Sequence, residues 1–307
     1  MRISNKFFTL IFLLIPLTWA GSFIAGKYVV AEINPVESTV LRFFLSALVM
    51  IPGFLIFHRK AHLNFRDKKL IWHLLVVVLT AGIGYHIFFF WALEYTSPTN
   101  TALIIALNPF FTAFGEIIFF KKARPLRFYL GFLLAFSGAV WVNISRGSMI
   151  DVSALGLGEL FCLIAALLWS FYSIFARKTK KDEWDSLWIN AYNYLFTAVL
   201  LLPFVSLGFY SSLFGSISIS AWNGIIYMAV FPTAIGYTLY YVGVQRKGPA
   251  WASTFIYLVP SFTAVLDHLY FDALLTLPFI GGTILVVSGL AIGNIDRGRL
   301  KNLWNNK

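Results

Sequence analysis

Two apolar stretches place a threonine one helical turn ahead of an acid, Thr112-Ala-Phe-Gly-Glu116 and Thr263-Ala-Val-Leu-Asp267. Residues at i and i+4 share one face of a helix, so each hydroxyl is within reach of its carboxyl. An acid in the middle of an apolar helix costs about 2.5–3.5 kcal/mol on membrane-insertion scales, and such groups usually face a bundle interior where a substrate, ion or proton is handled. Proton or cation coupling is therefore the chemistry that Glu116 and Asp267 offer. A plainer reading stands beside it. Glu116 lies five residues before Lys121, and Asp267 five before Asp272, about 7.5 Å along a helix, so both are also placed to reach water as interfacial groups.

Asn108 stands next to Pro109 and one turn before Thr112, and Pro109 and Pro260 fall inside the same two stretches. Each proline removes an internal hydrogen bond and bends or opens its helix. Asn108 and Thr112 are thus candidate polar contacts for a solute; the alternative for Asn108 is a bond to a freed carbonyl. Aromatic walls suit an organic solute, and ring faces can hold a cation. Aromatic residues make up 18% of the chain, so most must face lipid or the interfacial belts. The expected chamber residues are Trp19, Tyr85, Trp169 and Tyr237, whose types match at equivalent positions of a repeat, with Tyr257 alongside. His86 follows Tyr85 and is either a pH-sensitive contact or a structurally satisfied histidine.

The elements that must position these groups come in two copies about 151 residues apart. Pro109–Phe120 reads PFFTAFGEIIFF and Pro260–Phe271 reads PSFTAVLDHLYF. Ser137–Ile144 (SGAVWVNI) matches Ser288–Ile295 (SGLAIGNI), Gly84-Tyr85-His86 matches Gly236-Tyr237-Thr238, and Arg42 aligns with Asn193. Runs of about 20 apolar residues cross a hydrocarbon layer of ~30 Å as helices. Ten are expected, near residues 7–30, 36–57, 72–94, 98–120, 128–145, 156–176, 188–209, 222–244, 249–271 and 278–295. The fold class is an all-α membrane protein of ten transmembrane helices, in two five-helix units over residues 1–146 and 147–307. Small residues at helical spacing, Gly131, Ala135 and Gly138 in the fifth run and Gly282, Gly289 and Gly293 in the tenth, mark close helix packing.

Of the 24 basic residues, all but Lys27, Arg42 and Arg146 fall in alternate loops on one side. The positive-inside rule makes that side, with both termini, cytoplasmic. An odd number of spans per unit then inserts the second unit upside down. Inverted units of this kind commonly build secondary transporters. Lys27 and Arg42 lie near the outer ends of the first two runs, where snorkelling explains them as well as solute contact does.

With 307 residues, 59% hydrophobic and 12% charged, the chain is far more apolar than a soluble domain. Its net charge of +11 is spread through loop clusters and not one polar face, which argues against nucleic acid. The single cysteine, Cys162, excludes a disulfide framework and a multi-cysteine metal site. No nucleotide-binding G-x4-GK[ST] motif is present. No cofactor or metal is expected. The expected partners are a small-molecule solute and the lipid bilayer, with the monomer as the working unit. The competing class is an intramembrane enzyme such as a lipid or isoprenoid transferase, but the carboxylate cluster or nucleophile–base pair it would need is not evident.

Trp19-Ala-Gly-Ser-Phe-x3-Lys27, Asn34-Pro35 and Leu41-Arg42-Phe43-Phe44 resemble the opening of an EamA-type unit of the drug/metabolite transporter superfamily. Pro109, Pro260 and the G-x6-G segments from Gly131 and Gly282 fit the same pattern. The resemblance covers nearly the whole chain as two tandem units. It implies ten helices, an inner-membrane location, and export or exchange of small metabolites such as amino acids by alternating access. It also implies a central cavity lined mainly by spans 1, 3, 4, 6, 8 and 9. The chain departs from the family where a Gly-Glu pair usually follows spans 4 and 9. Lys121-Lys122 and Phe271-Asp272 stand there instead.

Overall fold

The computed structural model describes residues 5–57, 64–96, 98–121, 125–144, 156–177, 184–206, 208–209, 217–271 and 277–294. All regular structure among them is helical. In chain order the elements are α1 (Phe8–Val30), α2 (Pro35–Phe57), α3 (Lys68–Tyr95), α4 (Pro98–Ile105), α5 (Asn108–Phe120), α6 (Leu126–Ile144), α7 (Leu157–Ala176), α8 (Ser186–Leu201), α9 (Ile219–Lys247), α10 (Pro249–Thr254), α11 (Leu258–Phe271) and α12 (Leu277–Asn294). Six of these stretches are long and apolar enough to cross a membrane: α1, α2, α3, α7, α9, and the segment Leu187–Phe204 that contains α8. Shorter apolar helices lie within α6 and α12.

Side-chain placement is inverted relative to a water-soluble bundle. Phe110, Phe114, Leu130, Leu133 and Ile284 point outward, while Arg42, His86, Asn108, Thr112 and Asn190 are buried. Apolar groups outside and polar groups inside suit hydrocarbon surroundings, where an outward polar group would lack a partner. The chain is a multi-pass membrane protein. Cys162 is buried on α7.

The effect of the two mid-run prolines is visible in the chain path. Between α4 and α5 the helix opens into a turn at Ala106 and Leu107, and Pro109 occupies the first turn of α5, where its missing N–H leaves nothing unpaired. Between α10 and α11 the chain tightens into a 3-10 turn at Phe255–Tyr257, with Pro260 in the first turn of α11. Two further distortions lie inside long helices. Val78–Gly84 of α3 and Ala229–Tyr237 of α9 are π-helical, an arrangement rare outside functional sites. Their wider register brings carbonyls five residues back within side-chain reach. Thr233 Oγ1 donates to Met228 O at 2.7 Å in just that spacing.

Glycines set the α6–α12 contact. Gly131 lies against Gly289 and Gly293, and Gly138 against Gly282 and Val286. As α6 advances α12 recedes, so the two run antiparallel. A methyl on Gly138 would stand 2.5 Å from the Gly282 carbonyl oxygen and 2.7 Å from the Val286 nitrogen. Only a missing side chain allows this approach. In the interior, α1 packs on α9 and α11, and α7 packs on α3 and α5. A shift of about 151 residues carries one set of contacts onto the other.

Candidate functional site

Where α1, α2, α3, α7 and α9 converge, a small chamber is walled by Trp19, Ser22, Arg42, Tyr85, Trp169 and Tyr237, with Phe23, Phe89 and aliphatic groups of α4 and α11 completing it. The four expected rings meet there. Trp19 and Trp169 stand edge to face at 5.4 Å between centroids, Trp169 and Tyr237 are 4.8 Å apart, and Tyr85 and Trp169 are 4.8 Å apart. Trp19 Nε1 donates to Pro232 O at 3.4 Å, a carbonyl within the π segment of α9. The room open to a water-sized sphere is about 30 Å3, enough for about two waters. In this conformation the chamber leaves a space far smaller than a metabolite.

For Arg42 the sequence leaves snorkelling and solute contact both open, and the structure separates them. The side chain does not snorkel from a helix end; it is 1% exposed and belongs to the chamber wall. Its Nε donates to Thr233 Oγ1 at 2.7 Å, Nη2 to Tyr237 Oη at 2.9 Å, and Nη1 approaches Met228 Sδ at 3.8 Å. All three partners belong to α9 and all are neutral. A buried guanidinium without a carboxylate is costly, because the charge has left water with no opposite charge to replace it. Lys27, in contrast, is exposed and donates to Leu93 O at 3.2 Å.

Behind the chamber wall, His86 fixes the Tyr237 hydroxyl. His86 Nδ1 faces two carbonyl oxygens, Ala81 at 2.8 Å and Gly82 at 3.0 Å, which can only accept. The proton therefore sits on Nδ1, and Nε2, 3.0 Å from Tyr237 Oη, accepts from the phenol. Tyr237 thus donates to His86 and accepts from Arg42. His86 is buried support for the wall and does not itself line the chamber.

The remaining expected residues lie elsewhere. Asn108 Nδ2 donates to Ala166 O at 3.0 Å and Ser170 Oγ at 2.8 Å, and Ser170 Oγ lies 3.1 Å from Asn108 O. That fastens the α4–α5 break to α7, through a carbonyl of an intact helix and not one freed by Pro109. Thr112 directs its one donor to Asn108 Oδ1 at 3.4 Å, and Thr263 directs its own to Val259 O at 2.9 Å. Both point one turn back, away from the acids that follow them. Glu116 is 4% exposed on α5, so it is not a water-facing interfacial group. Asp267 lies on α11, and its side chain is outside the described residues. Tyr257 packs against Phe132 at 5.4 Å and Phe136 at 6.3 Å on α6, away from the chamber rings.

Beyond the chamber, several hydrogen bonds join the first half of the chain to the second, and two of them involve helix-capping residues. Glu32, just before α2, accepts from the Ser218 backbone N–H at 2.7 Å and from its hydroxyl at 2.5 Å. Those two bonds, hydroxyl first, hold the Glu32 carboxyl below the ordinary carboxylate range. Ser218 in turn caps α9 through Ala221 N. Trp184 Nε1 donates to Asp67 Oδ2 at 3.2 Å, and Asp67 caps α3 through Lys69 N. Asp67 and Ser218 are separated by the repeat interval of 151 residues. In the chain Glu32 precedes and Asp67 follows the 23-residue α2, a helix about 34 Å long at 1.5 Å per residue.

Comparison with known proteins agrees with this architecture. A relative named "Uncharacterized transporter YyaM" from Bacillus subtilis (strain 168) is 29% identical over 280 residues, 90% of each chain. An "Uncharacterized transporter" from Archaeoglobus fulgidus is 25% identical over 81% of this chain and 84% of that one. An "Uncharacterized inner membrane transporter YicL" from Salmonella typhimurium is 19% identical over 94% and 95%. One solved crystal structure has the same fold, with a TM-score of 0.72 at 21% identity over 95% of this chain and 98% of that chain. The sequence model of the EamA-like transporter family matches twice, at residues 7–144 and 156–295. With both halves matched, the chain is a membrane transporter and belongs to the EamA-like transporter family.

Proposed function

We propose that this transporter is a secondary carrier of small organic metabolites, amino acids among them, working as a monomer and in the direction of export. In this reading, residues 1–146 and 147–307 form two inverted five-helix units that rock about the aromatic chamber. Ten crossings follow from the six long spans, the two shorter helices α6 and α12, and the interrupted pairs α4–α5 and α10–α11. The observation that carries the proposal is the seam. Equivalent residues of the two halves, Trp19 with Trp169 and Tyr85 with Tyr237, line one central space, and the equivalent helices α6 and α12 run antiparallel. Such a relation is how inverted repeats place a site at the midplane.

The small chamber fits an occluded stage of the cycle, with the Glu32–Ser218 and Asp67–Trp184 ties as closures at the two ends. The charged loops support cytoplasmic termini. Glu116 and Asp267 are assigned to proton or cation coupling, on their placement within apolar helices. Counterflow in sealed proteoliposomes tests the carrier: solute trapped inside should draw labelled amino acid in, saturably. Label movement that persists when the vesicles are made leaky, or that appears equally in protein-free vesicles, removes it. Glu116→Gln should flatten the pH dependence of that movement, and an unchanged pH profile removes Glu116 from coupling.

A further inference from the structure

We infer that Arg42 is the anchor for a carboxylate, and that the chamber takes monoanionic organic acids with a flat apolar body. The inference rests on the carrier reading of the same chamber. A guanidinium carries five N–H donors. In Arg42 three nitrogens reach neutral atoms of α9, one of them only a thioether sulfur at 3.8 Å, and no carboxylate pairs with it among the described residues. The group is therefore charged, buried at the chamber wall and incompletely bonded. Ser22 gives an independent sign of a missing ligand: it is 5% exposed, lines the same space, and its hydroxyl has no hydrogen-bond partner among the described residues.

Charge and shape narrow the ligand. Arg42 is the one charged residue among those lining the chamber, so a single negative charge balances it and a dianion would leave an excess. Planar carboxylates match the guanidinium fork. An amine held over the ring faces is disfavoured, because Arg42 already places a cation 5.5 Å from the Tyr237 ring centre. The rings of Trp19, Tyr85 and Trp169 then receive the apolar body. The site is also asymmetric: the repeat mate of Arg42 is Asn193, so only the first half brings charge. Because the hydrogen-bond partners of the Arg42 guanidinium all lie on α9, widening the chamber to admit a solute draws them away and frees donors for the incoming carboxylate.

Three probes sharing one ring separate the possibilities: phenylacetate, phenylacetamide and 2-phenylethylamine, measured for binding to the purified full chain in nanodiscs by calorimetry. Phenylacetate should bind at least roughly 10-fold more tightly than the other two, the scale of a charge-assisted bond. Arg42→Gln should erase that preference, and Arg42→Lys should keep part of it. Amide binding equal to phenylacetate in the wild type overturns the inference, as does a preference that survives Arg42→Gln. Should Arg42→Gln fail to fold, the wild-type comparison alone decides, with Ser22→Ala expected to weaken phenylacetate binding roughly threefold or more. Movement of the probes into sealed vesicles is scored separately. Transport without charge preference removes the anchor and keeps the carrier, whereas carboxylate-selective binding without transport keeps the anchor and removes the carrier.

Discussion

Glu32 accepts both the N–H and the hydroxyl of Ser218, 186 residues away in the chain. The same serine starts α9, the helix that carries the hydrogen-bond partners of the Arg42 guanidinium. The state of an exposed carboxylate is thereby linked to the placement of the chamber wall.

The Glu32 carboxyl is held below its ordinary pKa of 4.5, because Ser218 bonds favour the charged form. A depressed folded-state pKa contributes stability that is fully present above the ordinary value and is lost as pH falls through the depressed one. Glu32→Gln should accordingly be less stable than wild type near neutral pH, with the gap closing in acid. Thermal unfolding of both proteins across the acidic range checks this, and a gap that stays constant with pH contradicts it.

The α6–α12 seam predicts opposite outcomes for neighbouring glycines. Gly138→Ala drives a methyl into the backbone of α12 and should cost about 2 kcal/mol or more, the range of overpacking. Gly281→Ala meets nothing within 4 Å and should gain up to about 1 kcal/mol through helix propensity. Unfolding midpoints in one detergent, measured side by side, give the comparison.

Tyr237 is bonded on both sides, to Arg42 and to His86. Tyr237→Phe leaves a buried cation short of an acceptor and a ring nitrogen short of a donor, at a cost of about 1–3 kcal/mol. Tyr257 supplies the control, since its buried hydroxyl has no partner among the described residues. Tyr257→Phe should lose no stability and gain up to about 1–3 kcal/mol, since it removes a buried unbonded hydroxyl. Equal losses in the two variants would show that ring packing, and not the hydroxyl, dominates at both positions.

Lys121 ends α5 with φ at 50°, the left-handed conformation in which glycine is favoured. This is the place where the family usually carries the glycine of its Gly-Glu pair. Lys121→Gly should raise stability by about 0.5–1 kcal/mol, the relief of a side chain from that backbone geometry set against the greater freedom of an unfolded glycine. A lower unfolding midpoint in the variant would contradict it.

Much of the arrangement was legible in the chain. Apolar runs report spans because lipid requires them, and the matched tryptophans and tyrosines report the chamber because the same unit builds both sides of it. Arg42 is ambiguous in the sequence because its position near the start of an apolar run suits a snorkelling residue and a solute contact equally; burial depends on what α9 packs against it. The available signal was its mate, Asn193, also polar within an apolar run. The π segments left no trace in composition, since widening a helical turn changes register and not residue type. Asn108 and Thr112 were chosen for spacing alone. Their phase opposite the outward Phe110 and Phe114 indicates burial, yet not whether the buried face meets a cavity or α7.

The chain's only thiol is shut inside α7. Reagents arriving from water therefore find no native sulfur on the folded protein, and a reporter cysteine at position 218 or 67 is read against a silent background without deleting anything. Modification rates at those two sites, measured with and without a carboxylate probe, then report whether either tie opens when a solute binds.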